Sequence, residues 1–143
     1  MAGANMKINP YMNFDGTCEA AFKFYAQVFG GQIVAMMPFG DTPACDHVPP
    51  ECRDKIMHAR LVVGDQVLMG SDCTPMHPYE GVKGASVALN VPKPADAERI
   101  FAALSENGRV EMPMQETFWA QRFGMVADQY GIPWLINCEK AAS

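Results

Sequence analysis

The feature that most constrains this chain is that its sequence describes the same local order of elements twice. Residues 7–14 have the alternation of a strand, and Asp15-Gly16-Thr17 supplies turn and N-cap chemistry for a helix. Apolar residues at Cys18, Ala21, Phe22, Tyr25, Val28 and Phe29 fall at helical spacing, and Gly30-Gly31 ends the run by accepting positive φ. A strand over 32–37 follows. In the second half, residues 85–91 alternate as a strand, with Val87, Leu89 and Val91 on one parity. Pro94 opens a helix carrying Ala97, Ile100, Phe101 and Leu104, Asn107-Gly108 stops it, and strand-like residues resume at Arg109.

Each half then adds a pair of strands. Segments 56–63 and 66–72 are joined by Gly64-Asp65, a two-residue turn suited to a hairpin. Their counterparts flank Asp128-Gln129-Tyr130-Gly131 within 108–139, where Trp119, Gln121, Phe123 and Met125 share one parity and Trp134, Ile136 and Cys138 share another. The reading is an α+β fold of two βαβββ modules, at about 6–73 and 85–139, with a linker over 74–84. Each module alone leaves one sheet face uncovered, so the two are expected to form a single domain over 1–143.

Composition excludes several classes of partner. A net charge of −5, with the eleven Lys and Arg scattered, does not make a nucleic-acid surface. Apolar runs are strand-sized, far short of the roughly 20 residues that span a bilayer. Residues 1–5 lack the basic and apolar regions of a secretory signal, so a cytoplasmic location is expected. The five cysteines, Cys18, Cys45, Cys52, Cys73 and Cys138, are odd in number and read as free thiols. Cys45, Asp46, His47 and Cys52 lie close together, but their spacing matches no common zinc finger or ribbon. Residues 38–54, with Phe39 and several prolines, interrupt the symmetry as a long loop, either a surface excursion or a lid.

The motifs INPYMNFDG, FYAQVFGG, KIMHARLVVGD, VLMGSD and QETFWAQRFGMVADQYGIPWLIN run in order through nearly the whole chain. Together they resemble the PhnB-like branch of the vicinal oxygen chelate superfamily, which includes glyoxalase I, extradiol dioxygenases, bleomycin-binding proteins and fosfomycin-resistance enzymes. The resemblance implies curled mixed sheets around a cleft and a homodimer that completes it. It also implies, in metal-using members, four inward ligands from the first and fourth strands of both modules, usually His, Gln or Glu. The corresponding positions here are Pro10, Met69 or Gly70, Ser86 and Leu135, none of which coordinates such a metal well, so no metal or other cofactor is expected. The methyltransferase name often attached to this branch finds no glycine-rich cofactor turn, and Asp15 and Asp96 near the helix starts disfavour an anion site.

Two readings of function stay open. In the first, the protein binds a small molecule, aromatic or planar, without metal, with no nucleic acid or membrane partner. Ser86 and Asn90 on the fifth strand leave room and offer polar groups, and Phe118, Trp119, Gln121, Phe123 and Trp134 form walls or, equally, core. In the second, it is a lyase or dioxygenase-like enzyme with unusual metal ligands, such as His58 with Asp72. His58 is the candidate acid–base residue, and a hydrogen-bonded structural histidine is its bland alternative. His77, in the linker, reads as solvated.

Overall fold

The computed structural model describes residues 6–140. The chain divides into two compact units, Met1–Tyr79 and Glu80–Ser143. The first contains strands β1 (Tyr11–Phe14), β2 (Gln32–Pro38), β3 (Ile56–Val63) and β4 (Gln66–Asp72) with helix α1 (Cys18–Phe29). The second contains β5 (Val87–Asn90), β6 (Arg109–Gln115), β7 (Ala120–Ala127) and β8 (Pro133–Glu139) with helix α2 (Pro94–Ser105). Each sheet is four-stranded and mixed, in the order β1-β4-β3-β2 and β5-β8-β7-β6. The outer pairs β1–β4 and β5–β8 are parallel and the other neighbours antiparallel. The expected pair of βαβββ modules is therefore what the chain forms.

In the first unit α1 covers one face of the sheet. Its residues Cys18, Ala21, Phe22, Tyr25 and Val28 are buried, and they meet Met12, Phe14, Ala59, Leu61 and Leu68 from the strands. Fully burying each large apolar side chain contributes about 1.5–3 kcal/mol, so this face carries much of the unit's stability. Gly70 is required beneath the helix: a Cβ there would lie 2.8 Å from the Met12 carbonyl oxygen and 2.9 Å from the Phe22 ring. The helix ends at Gly30 with φ 71°, as its glycine pair predicts.

The start of α1 differs from expectation. Thr17 occupies the N-cap position but makes no side-chain cap bond. Instead the buried Asp72 carboxylate accepts the Cys18 N–H at 2.9 Å and, through its other oxygen, the Ile56 N–H at 2.8 Å. One acid thus ties the last residue of β4 to the starts of α1 and β3. Burial, with the Asp72 and Glu19 carboxylates adding to it, pushes the Cys18 thiol up from its ordinary value, so it stays protonated.

Two strands are shorter than their sequence pattern. β1 begins at Tyr11 because Pro10 has no N–H to donate, although its carbonyl still accepts the Met69 N–H at 3.2 Å. β5 runs from Val87, and the Val91 N–H continues it with a bond to the Asn137 carbonyl. Residues 38–54 fold into three short 3-10 turns, Phe39–Asp41, Pro43–His47 and Pro50–Cys52. Bonds from Phe39 N to Lys55 O and Gly40 N to Arg53 O close the segment at its base, and Cys52 is buried.

Candidate functional site

Strand alternation gives each sheet a helix face and a helix-free face, and the chemistry divides between them. In the second unit Trp134, Ile136 and Cys138 are buried on the α2 side, with Gly124 and Val126 of β7 beside them. The other parity of β8, Leu135, Asn137 and Glu139, lies on the helix-free face. Register brings Ala88 beside Leu135 and Asn90 beside Asn137 from β5, and Phe123 beside Asn137 from β7.

A continuous polar and aromatic cluster results. The Trp119 indole N–H donates to Asn137 Oδ1 at 3.2 Å, and Asn137 Nδ2 donates to Asn90 Oδ1 at 3.0 Å. The Trp119 and Phe123 rings meet edge to face with centroids 5.2 Å apart, and Phe118 meets Trp119 in the same manner at 4.9 Å. Phe118 is 89% exposed and Trp119 44%, unusual values for such large apolar side chains. Gln121 lies alongside, its amide donating to the Glu139 carbonyl at 3.0 Å. Asn90, Phe118, Trp119, Gln121 and Phe123 are thus brought together; Ser86 is exposed just before β5, on the parity of Ala88 and Asn90.

Trp134 stands apart from them. It is 0% exposed and its indole N–H donates at 2.7 Å to Asp128, on the opposite face of the sheet. Asp128 also accepts the N–H groups of Tyr130 and Ile132, so this tryptophan belongs to the buried support of the β7–β8 turn. Asn137 is the residue that sequence reasoning missed. Its signal was available: it alternates with the apolar set Trp134, Ile136 and Cys138, and so takes the other face.

In the first unit His58 lies on the helix-free face with Arg60, because its neighbour Ala59 is buried and pairs with Gly70 beneath α1. The Tyr11 hydroxyl is 3.2 Å from His58 Nδ1 and the two rings stack with centroids 5.9 Å apart. Asn13 and Ser71 share the same face, 3.5 Å apart. Asp72 is on the helix face with its carboxylate already bonded, so His58 and Asp72 project to opposite sides of the sheet and do not form a joint metal site. His77 instead bridges to Thr74 through the backbone, within the segment after β4.

The four family metal positions can be placed on these faces. Met69 and Leu135 are on helix-free faces, while Gly70 packs under Phe22 on the helix face. The residue beside Met69 in β1 is Tyr11, one position from Pro10, and the residue beside Leu135 in β5 is Ala88, two positions from Ser86. Tyr11 and Met69 of the first unit offer a phenol and a thioether, and Ala88 and Leu135 of the second only apolar groups, so neither pair matches the imidazole and carboxylate ligands that hold Zn, Ni, Fe or Mn. Among the described residues no group of three or more His, Cys, Asp or Glu converges on one point.

A groove of about 430 Å³ in the second unit lies elsewhere, lined by Asn107, Arg109, Glu111, Asp128, Gln129 and neighbours. It sits at the turn end of β7, whereas Trp119 precedes its other end, roughly 25 Å away along the strand at about 3.3 Å per residue. It contains none of the residues expected to bind a ligand.

Residues 7–136 match the family model described as Glyoxalase/Bleomycin resistance protein/Dioxygenase superfamily. The chain belongs to this glyoxalase superfamily. It is 32% identical over 143 residues to protein YjdN of Escherichia coli K12, covering 94% of this chain and 97% of that one. Protein PA1353 of Pseudomonas aeruginosa is 52% identical, and its crystal structure superposes with a TM-score of 0.88 over 96% of this chain and 100% of that one. The PhnB protein of Bacillus cereus, 23% identical, has the same fold, with a TM-score of 0.78 over 93% of this chain and 99% of that one. The family match agrees with the superfamily that the motifs resemble. Among the described residues no helix is long and apolar enough to cross a membrane.

Proposed function

We propose that this glyoxalase-superfamily protein binds a small aromatic or planar molecule without a metal. The observation that carries the proposal is the cluster of Trp119, Phe123, Phe118, Asn90 and Asn137 on a sheet face that no helix covers. Large aromatic surface combined with a few oriented polar groups is what small-molecule sites use. Gln121 and Ser86 extend the polar rim, and buried Trp134 supports the sheet from behind. The mismatch of Tyr11, Met69, Ala88 and Leu135 to metal coordination supports the metal-free part of the reading. The two modules act as one domain, and the chain works as a homodimer, as the superfamily resemblance implies; light scattering should return twice the 15.7 kDa chain mass, and a monomeric mass at micromolar concentration would overturn that part.

Elemental analysis of tag-free protein, paired with a thermal-shift ligand screen, tests the proposal. The expected result is no stoichiometric transition metal, a fold that survives chelators, and stabilisation by planar aromatic compounds. Stoichiometric metal that disappears in His58→Ala would replace this reading with the enzyme one. That second reading has one observation behind it, the Tyr11 hydroxyl at hydrogen-bond distance from His58, which pairs a phenol with an imidazole for proton transfer.

A further inference from the structure

We infer that Trp119 sets the polarity of the Asn137–Asn90 amide pair so that the pair turns its free N–H donors to the site, and that its ligand is a planar ring bearing a neutral carbonyl oxygen. This rests on the binding reading above and goes further by naming the chemical class.

An indole nitrogen donates and cannot accept. Since the Trp119 N–H points at Asn137, that amide must turn its oxygen toward the indole. Its nitrogen then faces Asn90, which must in turn offer its oxygen. Both N–H groups of Asn90, and the second of Asn137, are left without a partner within this unit among the described residues. The direction of the relay therefore follows from the one member that cannot be flipped, and does not depend on how amide nitrogen and oxygen are assigned.

A ligand on this face meets N–H donors beside aromatic edges, so it needs an acceptor oxygen attached to a flat apolar body. Charge selects among acceptors. Arg122 is committed to Glu98 of α2, and Lys140 to Glu116. The Glu139 side chain falls on the same parity of β8 as Asn137 and is exposed, which repels a carboxylate or phosphate. A cationic amine has no lone pair to accept from the Asn90 N–H groups and leaves them unpaired. A neutral ketone or amide carbonyl fits both conditions.

The test titrates the intact protein with three probes of one shape, 1-acetonaphthone, 1-naphthoate and 1-naphthylmethylammonium, following the side-chain amide and indole N–H resonances by NMR. The ketone should bind at least about tenfold tighter than either charged probe and shift the Asn90, Asn137 and Trp119 signals, since a polar site rejects ligands that leave its groups unpaired. Asn90→Asp, which replaces donors by acceptors, should weaken the ketone by about tenfold or more. Trp119→Phe, which keeps an aromatic wall but frees the amides to turn, should cut the preference between probes to less than about threefold while retaining naphthyl binding. Both residues are exposed, and a thermal melt checks that each variant folds. Equal affinity for all three probes, or a preference surviving in Trp119→Phe, overturns the polarity while leaving the binding reading intact. No shift of these signals by any probe overturns both.

Discussion

The two tryptophans of the second sheet make the same bond, an indole N–H to a side-chain oxygen, on opposite faces. Trp134 reaches Asp128 in the interior at 2.7 Å, and Trp119 reaches Asn137 on the helix-free face at 3.2 Å. What differs is what surrounds them. Around Trp134 every neighbour is packed, so the bond satisfies a polar atom that burial would otherwise penalise. Around Trp119 the rings of Phe118 and Phe123 meet it edge to face and Phe118 is exposed, so the bond orients a part-exposed surface. One face of the sheet holds the unit together, and the other carries the part-exposed cluster of Trp119, Asn137 and Asn90.

The largest effect should come from the packed face. Trp134→Ala should cost about 3–5 kcal/mol in urea unfolding, from lost burial and the lost indole bond to Asp128. A cost near that of a surface change would erase the contrast between faces. Next is the first unit's counterpart, Asp72, whose carboxylate joins the starts of α1 and β3. Asp72→Ala should cost about 2–3 kcal/mol, because two backbone donors lose a charged acceptor. His58→Ala, on the helix-free side, should cost less than about 1 kcal/mol, and a larger loss would make His58 a structural residue. Trp119→Ala should change stability by less than about 0.5 kcal/mol while removing ligand binding, the reverse of what Trp134→Ala does.

The cysteines sharpen the same division. Cys18, Cys52 and Cys138 are buried, and Cys45 and Cys73 partly accessible. Native protein should therefore react with a thiol reagent at Cys45 and Cys73, and at the other three only on unfolding. Because burial raises the Cys18 thiol in the folded state, unfolded protein releases that proton first as pH climbs. Stability from this group is complete below the ordinary thiol value of about 8.5 and declines above it, a decline that Cys18→Ala should flatten.

Much of the fold was legible because the signals are local. The glycine pair after Phe29, Pro94 at the helix start and the Gly64-Asp65 hairpin each fix an element from a few neighbouring residues. The cap on α1 was not legible: the donor at Cys18 and the acceptor at Asp72 are 54 positions apart, and the local candidate, Thr17, goes unused. The site was half legible for a related reason. Period-2 alternation separates two faces without saying which one a helix will cover, and only the apolar company of Ile136 and Cys138 sets Trp134 on the covered parity, apart from Trp119. Asn137 gains its meaning only from the parallel register that brings it beside Asn90.

The most direct test follows the two indole N–H resonances of metal-free protein as 1-acetonaphthone is added. A saturable shift of the Trp119 signal, with the Trp134 signal unmoved, is the result expected of a binding surface on the helix-free face. A Trp119 signal that stays still until a transition metal is supplied, or a response confined to Trp134, would contradict it.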